Sequence, residues 1–469
     1  MEPALPPTAG WRLAAGPLVA ALAFAGCTLA DQPAALSVTV AVTAWCAAWW
    51  IFEPVHGAVT ALVPLAVLPL AGVLTPVQVA QSYGNELILL MAGGFMLAVA
   101  LERCGAHRRM ALGMVHAFGG GDGRRLIFGF AFATAFISLW ISNTAATLMM
   151  LPVAMAILAT YPEKRVAAPL VLAIAYGASI GGMGTPIGTP PNLFFMQVYE
   201  QTTGTRMGFL EWMSFGIPAV LLFLPLCAAW LSRGLGGTPP ASIPALGPWQ
   251  PAERRVLTVF GLVALAWITR TEPFGGWSGA LGLKGANDAA VALLGVVVMC
   301  LVPDGKGGRL LTWDGAERIP WGALVLFGGG IALAAAFDAS GLSRLIANDL
   351  AAWKSLALGS PLNLLLLMFA ICATVTLLSE IASNTAAAVL LMPILATAAT
   401  AVGVDPALFM VPAVLAASCG FMLPVATAPN LVAYGTRQVT AQRMLREGAV
   451  VDLIGVLVLT GVCWVAFGR

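Results

Sequence analysis

Ser142-Asn143-Thr144 and Ser383-Asn384-Thr385 place the same neutral polar triplet inside two apolar stretches, 241 residues apart. Each triplet is followed by a proline, Pro152 and Pro393. Each is answered downstream by a second polar interruption, Gly188-Thr189-Pro190-Pro191-Asn192 and Ala426-Thr427-Ala428-Pro429-Asn430. Ser, Asn and Thr offer oxygen acceptors together with hydroxyl and amide donors, and carry no fixed charge. Where such a triplet breaks a helix, carbonyls stand free at the end of one segment and N–H groups at the start of the next. The carbonyls suit a hard cation such as Na⁺. The N–H groups, at the positive end of a helix dipole, suit an anion. One short tip can hold both side by side, with the Pro-Asn interruptions as opposing walls.

The surroundings reinforce this reading. No Lys, Arg or His occurs in 126–163, 166–205 or 355–436. A dianion bound among these segments has no fixed counter-charge, and co-bound cations are the natural replacement. Ser138 and Ser379 each stand four residues before a triplet serine. Glu380 is an intramembrane acid and by that fact a functional candidate; it leans toward the cation or holds the hairpin by hydrogen bonds.

These stretches need a scaffold, and composition says which. The chain has 469 residues, 59% hydrophobic and 9% charged, where soluble domains carry about 25% charged residues. Apolar runs near bilayer length recur throughout, and in hydrocarbon the backbone must bond to itself. The expectation is an all-α polytopic membrane protein of eleven transmembrane helices and two re-entrant hairpins. Residues 1–35 are an N-terminal segment and first span. Residues 36–232 form one repeat with a hairpin at 126–160. A Pro/Gly-rich polar connector covers 233–254, and 255–469 form a second repeat with a hairpin at 361–400. The Gly-Gly94-Phe and Gly-Gly330-Ile runs also match across the halves. Five spans per half invert the second copy, the usual pointer to a secondary transporter. With a cytoplasmic N-terminus, seventeen of the 23 Lys/Arg fall on the cytoplasmic side, as the positive-inside rule requires.

Other classes find little support. Eight cysteines lie singly, mostly in apolar runs, with no metal-ligand spacing. His56, His107 and His116 form no metal motif, and no nucleophile–base constellation of an enzyme is visible. The Gly119–Gly123 run lacks the Lys-Ser/Thr of a phosphate loop and reads as a flexible turn. Residues 13–30 have the look of a signal peptide, but the many later spans favour a first membrane helix. A net charge of +2 gives no case for nucleic acid.

At these residues the chain resembles the divalent anion/sodium symporter family of dicarboxylate, citrate and sulfate carriers. Both triplets match, as do Gly-Thr-Pro-Pro-Asn at 188–192, Trp49-Trp50 with Glu53, Gly93-Gly94-Phe95-Met96, and Leu423-Pro424-Val425-Ala426-Thr427. The likeness spans about 36–467. It implies a homodimer with a scaffold domain and a moving transport domain in membrane lipid. Carried over by position, it implies one sodium site at Ser138, Ser142, Asn143 and Gly188. A second lies at Ser379, Ala382, Asn384 and Ala426. Substrate carboxylates meet Asn143, Thr144, Asn384, Thr385 and Thr427, with Thr189 and Pro190 on the facing wall. Ala428 departs from the proline of many members and loosens one wall. The expected function is sodium-coupled symport of small dianionic carboxylates such as succinate, malate or fumarate, across the plasma membrane. The alternatives are a sodium-independent exchanger, a sulfate or tricarboxylate carrier and, more distantly, an anion channel.

Overall fold

The computed structural model describes residues 10–118, 122–240, 243, 245–271, 275–283, 285–351 and 360–468, with only the backbone at 111 and 347–351. The expected turn at Gly119–Gly121, and Lys284, Lys354 and Arg469 of the charge count, lie outside them. Among the described residues the chain is all helix, with a single isolated bridge between Pro303 and Arg309. Ten helices are long and apolar enough to cross a bilayer, and Gly57–Leu70, Asp288–Leu301 and Ala407–Ala416 are shorter apolar helices. This is an integral membrane protein. On Gly10–Leu29 the apolar side chains point outward, with Leu18 and Leu22 well exposed; in hydrocarbon that exposure costs nothing.

Two groups of helices frame the site. Ala34–Phe52, Gly57–Leu70, Glu86–Arg103 and Trp321–Ser340 pack together on one side, with Asp288–Leu301 against Glu86–Arg103. On the other side are two helix–turn–helix hairpins, Gly123–Ser138 with Asn143–Thr160, and Pro361–Ser379 with Asn384–Val402. Each hairpin leans on a broken helix. The first broken helix is Ala167–Gly182 followed by Pro190–Thr203; the second is Ala407–Ala416 followed by Ala428–Gly435. Phe209–Leu231 and the last helix, Ala441–Phe467, close the back of this group.

The first hairpin docks on its broken helix through small residues. A Cβ on Gly177 would stand 2.8 Å from the Ala131 carbonyl oxygen, and one on Gly181 2.3 Å from that of Ala135. Both pairs are spaced four apart, so one helix face meets another with almost no side chain between them, the small-xxx-small contact of membrane helices. The second hairpin docks similarly: Cys372 Sγ donates to the Pro412 carbonyl at 3.7 Å. The connector is pinned rather than loose. Gly237 N donates to Asp122 Oδ2 at 2.9 Å and Gly123 N to Thr238 Oγ1 at 2.6 Å. Arg109 reaches the carbonyls of Gly247 and Pro248 and pairs with Glu253 at 2.8 Å. The two backbone amides on Asp122, from Gly237 and Arg125, hold its carboxyl below the usual range.

Candidate functional site

Each triplet serine caps the second helix of its hairpin. Ser142 has φ −59°, ψ 145° and accepts from Ala145 N at 3.3 Å. Ser383 has φ −62°, ψ 143° and accepts from Ala386 N at 3.3 Å. The following asparagines are held alike. Ser138 Oγ donates to Asn143 Oδ1 at 2.8 Å, and Ser379 Oγ lies 2.8 Å from Asn384 Oδ1. Ser379 also lies 2.7 Å from the Ala417 carbonyl, and its one hydrogen serves a single acceptor at a time. A Cβ on Gly182 would stand 2.4 Å from Asn143 Oδ1. Gly182→Ala is therefore expected to push the Asn143 amide off Ser138 and raise the half-saturating Na⁺ concentration about tenfold, one lost hydrogen bond to a charged group. Membrane insertion should be retained. Gly181→Ala meets backbone instead, and melting curves of the pair separate a site defect from a packing defect.

The downstream asparagines have a different task. Asn192 Nδ2 donates to the carbonyls of Gly182 at 2.9 Å and Thr185 at 2.8 Å. Asn430 Nδ2 donates to those of Gly420 at 2.8 Å and Leu423 at 3.0 Å. In both cases the acceptors lie ten and seven residues back. One amide thus staples each break, satisfying carbonyls that the interruption frees in a place without water. Thr427 Oγ1 accepts from Asn430 N at 3.2 Å. The prolines fall at the first or second helical position, where a missing N–H is harmless. Tyr176, on the first broken helix, donates to the Phe421 carbonyl of the second break at 2.8 Å.

The four tips converge on one cleft of about 450 Å³. Its walls are the N-terminal starts of four helices: Ser142–Thr144, Thr189–Pro190, Ser383–Thr385 and Thr427–Pro429. Gly188 and Ala426 lie between them, and Phe95, Pro320 and Ala323 complete the wall from the facing group of helices. No lining residue is charged. The first amides of each helix have no partner within their own helix, so the cleft collects unpaired N–H groups and four positive dipole ends. At roughly half an elementary charge each, these amount to about two positive charges at most. The chemistry of such a cleft is dianion binding by backbone. The helix ends behind it, at Ser138, Gly182, Ser379 and Ala416, turn their carbonyls toward the tips. Among the described residues no cluster of His, Cys, Asp or Glu is suited to a metal.

Most residues singled out in sequence meet here. Ser142, Asn143, Thr144, Gly188, Thr189 and Pro190 line the cleft from one half; Asn384, Thr385, Ala426 and Thr427 line it from the other. Ser138, Ser379 and Ala382 are buried behind the tips and do not line it. Glu380 points away from it: its two oxygens accept from Met422 N at 2.8 Å and Leu423 N at 2.9 Å. Sequence reasoning treated Asn192 and Asn430 as walls and overlooked their stapling role. It passed over Phe95 and Pro320 as lining and did not see that the two broken helices add their own N-termini. The Pro-Pro and Ala-Pro pairs were the available signal for that.

Known proteins place the chain. It is 37% identical over 95% of its length, and 89% of the relative's, to a protein of Staphylococcus saprophyticus named sodium-dependent dicarboxylate transporter SdcS. It is 36% identical over 90% of its length to proteins of the same name in Staphylococcus aureus strains, covering 84% of their length. The fold resembles that of the Alcanivorax borkumensis YdaH transporter, whose crystal structure was described as having an unusual topology. The TM-score is 0.60 at 19% identity, covering 86% of this chain and 88% of that one. A family model described as the sodium:sulfate symporter transmembrane region matches residues 17–468. With nearly its whole length matched, the chain belongs to the sodium:sulfate symporter family.

Proposed function

We propose that this protein couples inward Na⁺ movement to uptake of small dianionic carboxylates of the succinate, malate and fumarate class by alternating access. The observation that carries this reading is the convergence of four helix N-termini on one cleft lined by no charged side chain. A dianion there meets amides of Asn143, Thr144, Asn384 and Thr385 and the hydroxyls of Thr144, Thr189, Thr385 and Thr427, with Pro190 as an apolar edge. One Na⁺ is assigned to Ser138, Ser142, Asn143 and Gly188, and another to Ser379, Ala382, Asn384 and Ala426. In each set an Asn amide stands between cation and anion. Each ligand therefore strengthens the other, by the same factor in both directions. The relatives' shared name, sodium-dependent dicarboxylate transporter, supports the assignment.

The proposed arrangement is a homodimer in lipid of the bacterial inner membrane, with eleven spans, two re-entrant hairpins and two inverted repeats divided by the 233–254 connector. The matching caps and staples of the two halves support the repeat. The N-terminus is cytoplasmic, which puts Pro320, beside Arg318, near the cytoplasmic mouth of the cleft. At the far end, Arg206 pairs with Glu86 and Arg270 with Asp288 at 2.6 Å, across the two groups of helices. This is the inward-open arrangement. Phe95 and Ala323, from the stationary side, are what the tips must slide past.

Reconstituted protein in proteoliposomes tests the proposal. Uptake of labelled succinate should require an inward Na⁺ gradient and rise with Na⁺ with a Hill slope above one. Equal uptake with choline in place of Na⁺ would remove symport and leave exchange.

A further inference from the structure

The described site leaves one buried acid unexplained. Asp452, on the last helix, is 4% exposed, and neither of its oxygens has a hydrogen-bonding partner of good geometry. Its carboxyl lies against that of Glu380, itself 4% exposed, near the Phe421 amide. The two carboxyls differ in what they receive. Glu380 accepts two backbone N–H bonds, from Met422 and Leu423, and such bonds favour the charged form. Asp452 receives none of good geometry. Two adjacent buried carboxyls do not both ionise, and a lone buried carboxylate without donors is costly. Both conditions are met at once if Asp452 keeps its proton and donates it to Glu380.

The other groups facing this pair do not change the balance. Cys227 comes from Phe209–Leu231, Cys372 from the second hairpin, Cys419 from the second break and Tyr176 from the first broken helix. The Tyr176 hydroxyl is already given to the Phe421 carbonyl. Glu447, on the same helix, is paired with Arg233 at 2.7 Å. No Lys, Arg or His is among the groups acting on Asp452.

We propose that a proton is bound between Asp452 and Glu380, carried on Asp452 and donated to the Glu380 carboxylate, and that this bond makes Asp452 a positioning residue for the second cation site. The chain of contacts runs from the last helix through Asp452 to Glu380. From there it reaches the amides of Met422 and Leu423, and so the break that presents Ala426 and Thr427 to the cleft. The first half has no such pair. Leu139 stands where Glu380 stands in the second, and the first break is tied instead by Trp212 Nε1 to the Met183 carbonyl at 3.0 Å. The proton is resident, and no carboxyl needs to change state during transport. Asp452 touches neither the substrate nor the bound cation. Its role rests on the sodium reading of the second hairpin; the bound proton itself does not.

Two measurements separate them. Infrared spectra of the purified wild-type protein at neutral pH should contain a buried carboxylic acid C=O band that shifts in D₂O and disappears in Asp452→Asn. In proteoliposomes Asp452→Asn, whose amide donates the same bond, should keep wild-type uptake and Na⁺ dependence. Asp452→Leu, similar in size without a donor, should raise the half-saturating Na⁺ concentration about tenfold, the weight of one hydrogen bond to a charged group. A spectrum without the band overturns the bound proton, whatever transport does. Loss of uptake in Asp452→Asn overturns it too, because an ionised Asp452 would then be required. A band that is present, with Asp452→Leu showing unchanged Na⁺ dependence, overturns the positioning role. If Asp452→Leu fails to insert, the band and the behaviour of Asp452→Asn still decide. Absence of any Na⁺ dependence in the wild type would sink the symport reading and the positioning role that rests on it, and leave the band standing.

Discussion

Asn143→Ala and Asn384→Ala are each expected to abolish Na⁺-driven uptake while leaving a folded, membrane-inserted protein. Each amide sits at the first turn of its hairpin's second helix and is held by a serine hydroxyl four to five residues earlier in space and chain. The helix itself does not depend on it, because Ser142 and Ser383 supply the caps. Removing the amide strips an oxygen from the cation and N–H donors from the carboxylate together. One hydrogen bond to a charged group is worth about 1.5–3 kcal/mol, so each partner loses tenfold or more. Linkage then carries each loss to the other ligand. If the tips only pack helices, the outcome is the reverse: lower melting temperature and near-normal uptake in what survives. Thermal stability and uptake on the same purified variants distinguish the two. Stable variants with wild-type rates would remove both residues from the mechanism.

Asn192→Ala and Asn430→Ala should fail in the opposite order, with stability lost first. Each removes a staple from two backbone carbonyls in a dry interior. An orphaned buried acceptor costs about 1–3 kcal/mol, so each variant should lose about 2–6 kcal/mol. Low expression and a strongly reduced melting temperature are the expected result. Asn192→Asp is worse, since it turns a second acceptor toward the carbonyls of Gly182 and Thr185. A melting temperature unchanged in both alanine variants would mean that the breaks are held by something other than these amides.

The polar triplets were legible in sequence because hydroxyl and amide groups stand out against apolar runs, and because the pattern comes twice. The all-helical membrane fold followed from composition alone. What escaped was set by partners distant in the chain. Nothing local to Asn192 or Asn430 says that their amides turn back by seven and ten residues instead of facing the cleft. The serines at 138 and 379 look like ligands by position, yet they are buried behind the tips. Asp452 is one acid in a long apolar helix, and its neighbour Glu380 lies 72 residues earlier in the chain. Only tertiary packing joins them. Helix ends were readable where Pro or Ser marks them and less so at Ala416, where the second break opens earlier than the Leu423-Pro424 step suggests.

The cleft's charge is written in the peptide backbone and cannot be mutated away or neutralised by pH. Its shape, by contrast, is set by a few small side chains such as Ala426, Ala428 and Thr427. Attraction and choice are thus separable properties. A lineage can trade one diet for another by exchanging a methyl for a ring or a hydroxyl, while every descendant inherits the same appetite for double negative charge. A family whose profile is titled for sulfate and whose members include proteins named for dicarboxylates is what that separation permits. It also assigns the pH response to the cargo: the empty site keeps its field from acid to alkali, and the acid being carried decides, by its own second ionisation, when it is fit to enter.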